Sequence, residues 1–180
     1  MSGKTEKYMA DYYRMTGICH QGVRSFIHRL LHHNLAYMYW FRKYQEKPSF
    51  FKRAMLYRIT RKYGLEISPK AQIGAGLYLG HPYNITVGED VIIGKNVNLH
   101  KGCTIGRTSG KNGGSPKIGD QVFVGINATI VGNVVIGNDV LIAPNSFVNF
   151  DVPPHSVVIG NPGKIYTKEY ATGNYVCFCT

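Results

Sequence analysis

From Ile118 to Phe147 the chain repeats in sixes: IGDQVF, VGINAT, IVGNVV, IGNDVL, IAPNSF. A branched apolar residue opens each hexad (Ile118, Val124, Ile130, Ile136, Ile142). A small or apolar residue follows four places later (Val122, Ala128, Val134, Val140, Ser146). A helix repeats its apolar face every three to four residues and an ordinary strand every two, so a strict six fits neither. It predicts a solenoid whose units bury their faces only by stacking. Six residues make one flat strand and one corner, and three hexads close a triangular coil. Gly, Asn and Asp take the corners, where positive φ is tolerated. The same frame runs upstream through Ile67, Ile73 and Leu79, then Val87, Ile93, Leu99 and Ile105. Two extra residues enter between Leu79 and Val87, and residues 106–117 interrupt the frame again. Insertions leave a coil as surface loops, where function concentrates. His81 lies in the first, and the second is rich in Gly.

Before the repeat the period changes. Phe26, Ile27, Leu30, Leu31, Leu35, Met38 and Phe41 recur at three-to-four spacing and predict one amphipathic helix starting near Val23. A short helix through Tyr8 to Met15, ended by Gly17, precedes it. Another follows Pro48-Ser49, carries Phe51, Met55 and Ile59 on one stripe, and stops at Gly64. After Phe150 the prolines 153 and 154 exclude a helix, and residues 152–165 read as an extended segment covering the last coil. The fold class is mainly β. Residues 1–65 form a basic, aromatic-rich α-helical segment, 66–165 a parallel β-helix domain, and 166–180 a loosely ordered tail.

Composition narrows the setting. The net charge is +11, and residues 1–66 hold 13 Lys/Arg against 4 Asp/Glu. The basicity therefore belongs to the helical segment. It carries no nucleic-acid module pattern, which leaves a solvated helix face, an anionic membrane surface or a partner enzyme. The aromatics there (Tyr37, Tyr39, Trp40, Phe41 among them) suit packing on a neighbour better than a membrane interface. Four Cys are too few for a disulfide scaffold. Cys177 and Cys179 lack a second ligand pair, so no metal is expected. The N-terminus has no signal-peptide pattern, and 30–41 is too short to span a bilayer. These features indicate a cytoplasmic protein, with peripheral contact at the inner face of a membrane left open.

A series of motifs then becomes specific: Glu66-Ile67-Ser68-Pro69, Gly80-His81-Pro82, Ile85-Thr86-Val87-Gly88-Glu89, Thr104-Ile105-Gly106, Gly113-Gly114-Ser115-Pro116-Lys117-Ile118 and Val152-Pro153-Pro154-His155. In these, residues 67–165 resemble the left-handed parallel β-helix of hexapeptide-repeat acyltransferases, and within them the serine acetyltransferase family. The resemblance implies acetyl transfer from acetyl-CoA to a hydroxyl, a homotrimer, and a donor lying between subunits. It makes His81 the catalytic histidine, and the chemistry needs a base near neutral pH to take the hydroxyl proton. Glu66 falls at its acidic partner and would orient the imidazole. His100, one coil on at nearly the same corner, is a candidate for the acceptor site, as is Ser115. The 106–117 loop, with Arg107, Lys111 and Lys117, would shield donor and acceptor. Backbone N–H groups at Gly106 or Arg107 would hold the thioester oxygen. Gly125, Ile126, Ala143 and Lys164 are candidates for the pantetheine groove and the CoA phosphates.

The sequence departs from that family around the acceptor. Gly80, Gly114 and Ser115 stand where serine acetyltransferases carry an acid, an arginine and a histidine. Burying a zwitterion without paired charges is costly. The basic, aromatic front also resembles O-acetyltransferases of capsular and exopolysaccharide synthesis, so a sugar hydroxyl is the expected acceptor. Serine O-acetylation is the alternative, and an inactive β-helix scaffold a second.

Overall fold

The structure is a computed structural model, and it describes residues 3–19, 22–110 and 113–180. Three parallel sheets form the sides of a triangular prism. The first contains β1 (Leu65–Ile67), β4 (Ile85–Val87), β7 (Thr104–Gly106), β10 (Thr129–Val131) and β13 (Phe147–Val148). The second contains β2 (Gln72–Ile73), β5 (Ile92–Ile93), β8 (Lys117–Ile118) and β11 (Val135–Ile136). The third contains β3 (Tyr78–Gly80), β6 (Asn98–His100), β9 (Phe123–Val124), β12 (Val140–Ile142), β14 (Ser156–Ile159) and β15 (Lys164–Thr167). Glu66 lies beside Thr86, Thr86 beside Thr104, Thr104 beside Thr129, and Thr129 beside Phe147. The coils thus advance by 20, 18, 25 and 18 residues. The two long ones contain the interruptions of the hexad frame.

Every residue that opens a hexad, from Ile67 to Val148, is buried at 3 % exposure or less. The second column is buried too: Ala71, Leu77, Val91, Val97, Cys103, Val122, Ala128, Val134 and Val140. Burial pushes the Cys103 thiol up to about 12, which makes it a packing residue and not a nucleophile. Ser146 enters this column because its hydroxyl is satisfied, donating to the Val158 carbonyl at 3.3 Å and accepting from Gly160 N–H at 3.1 Å. Asn96, Gln121, Asn127, Asp139 and Asn145 turn corners at φ between 52° and 59°, the left-handed region that Asn and Asp tolerate.

Two segments differ from expectation at the C-terminal end. Residues 152–165 do more than cover the last coil. β14 continues the third sheet in parallel with β12, and only β15 folds back antiparallel over its edge. The tail is also not loose. Asp139 accepts bonds from Ala171 N–H, Thr172 N–H and the Thr172 hydroxyl, at 3.0, 2.9 and 2.7 Å. Tyr175 packs on Phe123 with ring centroids 5.1 Å apart, and its carbonyl accepts from the Asn98 amide at 3.0 Å. Thr180 closes the run on the Asn96 side chain. These contacts join residues far apart in sequence, so no local pattern announces them.

Among the described residues the helices are α1 (Gly3–Thr16), α2 (Val23–Leu31), α3 (His33–Glu46) and α4 (Phe50–Tyr63); α1, α3 and α4 meet the first coil, and α2 packs on α3. The single helix expected from Phe26 to Phe41 is two, broken where His32 turns extended at φ −117°. The break turns Leu35, Met38 and Phe41 into the core and leaves Phe26, Leu30 and Leu31 exposed. α4 starts with Ser49 accepting from Lys52 N–H and ends at Gly64, whose φ of 67° needs glycine. One ion pair fastens the helices to the solenoid. Arg42 donates to the Asp11 carboxylate through Nε at 2.8 Å and Nη2 at 3.1 Å, both side chains being buried. Asp11 also accepts from Leu77 N–H, and Arg42 reaches the carbonyls of Ile73 and Gly74. Asp11→Ala strands the guanidinium in the interior and is expected to cost about 3–5 kcal/mol, read as a lowered midpoint in urea unfolding.

Candidate active site

The first interruption builds a projecting corner. β3 ends at Gly80, and His81 follows in the left-handed region at φ 47°. Its carbonyl accepts from Tyr83 N–H at 2.7 Å, which turns the chain sharply and leaves the imidazole exposed. Helices hold this corner from outside. The His33 Nε2 bonds the Pro82 carbonyl at 3.0 Å, and the His33 ring stacks on Tyr63 with centroids 3.9 Å apart. Tyr63 also meets Tyr83 edge-on, and its carbonyl accepts from Asn84 N–H at 3.0 Å. A non-glycine residue in this region costs energy and persists where its surroundings fix it.

His100 stands in register with Gly80 on the next coil. Its ring lies where a side chain at position 80 would go, because a Cβ added to Gly80 would overlap the imidazole. The ring centroid is 6.4 Å from that of His81 and 4.5 Å from Phe123. Its Nε2 is buried and has no hydrogen-bond partner among the described residues. Burial, with the charge of His81 adding to it, pushes His100 down to about 4, so it is neutral at physiological pH. Beyond it opens a cavity of about 450 Å³, lined by Tyr78, Asn98, Phe123, Tyr175 and the buried Arg14. Arg14 bonds the Gly76 carbonyl at 3.2 Å and the Asn98 side chain.

Most of the other candidates fall on two edges of the prism. The edge between the third and first sheets carries His81, then Gly125 and Ile126 between β9 and β10, then Ala143 between β12 and β13. Glycine at 125 has a packing reason, since a Cβ would approach Pro144 N to 2.7 Å. The next edge, between the first and second sheets, carries the 106–117 loop with Gly106, Arg107 and Ser115. There Thr108 and Gly114 exchange two N–H to carbonyl bonds of 3.1 Å, and Arg107 faces Asp90 at 3.7 Å. A Cβ at Gly106 would meet nothing within 4 Å. Lys111 lies outside the described residues. Lys164, exposed on β15, sits at the far end of the third sheet. Glu66 is exposed on β1 and makes no described hydrogen bond or ion pair with His81. One chain therefore brings together His81 and His100, with the Gly125 and Ala143 corners along the same edge, and sets the loop apart. Reading by sequence missed His33, Tyr63 and Arg14, because helix-to-coil contacts leave no periodic mark.

Residues 115–149 match the family described as Bacterial transferase hexapeptide (six repeats). The chain is 36% identical over 145 residues to a serine acetyltransferase of Helicobacter pylori, spanning 79% of this chain and 82% of that one. The chain belongs to the serine acetyltransferase family. It is 37% identical over 139 residues to serine acetyltransferase 2 of Arabidopsis thaliana, covering 77% of this chain and 42% of that protein. It spans 32% to 58% of the length of several curated relatives. The serine acetyltransferase of Neisseria gonorrhoeae in complex with serine superposes with a TM-score of 0.71 at 30% identity, over 91% of this chain and 69% of that one. That of Brucella abortus in complex with coenzyme A gives 0.68 at 26%, over 92% and 67%.

These likenesses overturn the sugar acceptor and the capsular or exopolysaccharide resemblance, since the matched relatives are named for serine. The absence of charge at Gly80, Gly114 and Ser115 does not by itself define an acceptor. In this family member His100 occupies the space that opens at Gly80. Two outcomes follow from that contact. Between about pH 6.5 and pH 4 the unfolded chain takes up a proton at this histidine that the folded chain refuses, so stability falls as pH drops through that window. His100→Leu is expected to flatten this fall, measured as unfolding midpoints at pH 7 and pH 5. Gly80→Ala is expected to cost about 1–3 kcal/mol by overpacking, and His100→Ala to relieve most of that in the double variant.

Proposed function

We propose that this chain is an acetyl-CoA-dependent serine O-acetyltransferase, cytoplasmic, with His81 as the general base. The observation that carries the reading is the fixed left-handed corner that presents an exposed imidazole at one end of a prism edge. There His81 takes the proton of the serine hydroxyl as its oxygen attacks the thioester carbonyl, and returns it to the departing thiolate. Negative charge develops on the carbonyl oxygen, and the N–H of Gly106 or Arg107 receives it. The open space at Gly106 supports close approach of a ligand. His81 and the 106–117 loop lie on different edges, so a complete site needs the loop of an adjoining copy. That requirement supports a homotrimer with acetyl-CoA in the groove between subunits, along Gly125, Ile126 and Ala143 and toward Lys164. Glu66 would orient His81 once the acceptor is bound. Serine itself would be held by His100 and by Ser115 of the adjoining loop.

His81→Ala is expected to lower acetyl transfer to L-serine by about 10²–10⁴-fold, with the oligomer unchanged by light scattering. The assay is release of free CoA thiol from acetyl-CoA. Wild-type protein that binds no acetyl-CoA and releases no thiol with L-serine would return the fold to a scaffold role.

A further inference from the structure

α2 is amphipathic with its apolar side turned outward. Val23, Phe26, Ile27, Leu30 and Leu31 share one helix face by spacing, and they are 77, 54, 46, 70 and 71 % exposed. The buried residue of this helix is Ser25. The strip borders a groove of about 560 Å³, whose other walls are Trp40 of α3 and Met55 and Ile59 of α4. At the rim of the groove, Phe51 of α4 is 63 % exposed and meets Trp40 edge-on. A contiguous apolar face of this kind marks an interaction site.

The charges select what covers it. Arg24 and Arg29 lie on α2, and Lys52, Arg53, Arg58, Arg61 and Lys62 on α4, with no Asp or Glu in either helix. Arg29 sits over the rings of Phe26 and Tyr39, and Arg58 and Lys62 line the groove, so cations are interleaved with the apolar residues. A two-fold contact between copies would set these cations against themselves, which is unfavourable. An anionic lipid surface accepts both features, apolar side chains at the acyl boundary and cations among the headgroups. Among the described residues no helix is long and apolar enough to cross a membrane. We propose that the α2–α4 face docks in the plane of an anionic bilayer surface. This holds whichever acceptor the active site takes.

The test is flotation of the full chain with vesicles of phosphatidylcholine and phosphatidylglycerol, beside vesicles of phosphatidylcholine alone. Wild-type protein is expected to float with the anionic vesicles only and to be released near 1 M salt, where screening is short-ranged. Leu30→Glu/Leu31→Glu, and separately Arg58→Glu/Lys62→Glu, are each expected to cut the bound fraction roughly tenfold. Circular dichroism should stay unchanged, since these side chains are exposed. Failure of the wild type to bind anionic vesicles overturns the proposal. So does a lower molecular mass for the Leu30/Leu31 variant in light scattering, which would assign the face to a second copy. Equal binding to neutral vesicles, or binding indifferent to the Arg58/Lys62 change, overturns the anionic headgroup.

Discussion

The constraint on which everything else depends is the stacking of like on like. Each coil lends its backbone bonds and branched side chains to the same positions of the next, so Ile67 and Val87, or Val124 and Ile142, must stay in column. A coil can lengthen only by expelling residues outward at a corner. That makes the position of every insertion a position on the surface. The solenoid can accordingly carry chemistry at an edge without disturbing its interior, where Cys103 and Ser146 show how little latitude a column position has.

The helices fix what the coils alone would leave loose. Asp11 and Arg42 lock two helices to the first coil by satisfying each other and the backbone groups of Leu77, Ile73 and Gly74. From that platform His33 and Tyr63 reach the turn after His81. The helix that carries Arg42 thus also carries His33, whose ring packs with Tyr63 and Tyr83 beside the turn that presents the exposed base. On the opposite side, the Gly80 and His100 pair trades a side chain at one position for a ring from the next coil.

Most of the architecture was legible because the repeat is local and strict. The column from Ile67 to Val148, the Gly64 stop and both interruptions stand in the sequence as phase. His81 was legible for the same reason, as a residue out of phase. The two-helix break at His32 was not, because tertiary contacts of His33 and the buried faces of Leu35 and Met38 outweigh continuous periodicity. The acceptor was misread from residues missing at 80, 114 and 115, since sequence shows a deletion of charge but not the neighbouring His100 ring that enters the space.

The tail changes what kind of object the solenoid is. Stacked repeats interact only with their neighbours, so an unadorned array unravels from its ends one unit at a time. Here the segment from Ala171 to Thr180 binds Asp139 near one end and Asn96 near the other, and Phe178 rests on Tyr13 of the first helix. Loss of the last coil would pull on the first. The strap thus converts a chain of neighbour contacts into a closed ring of dependence, and unfolding becomes a single cooperative event rather than a fraying.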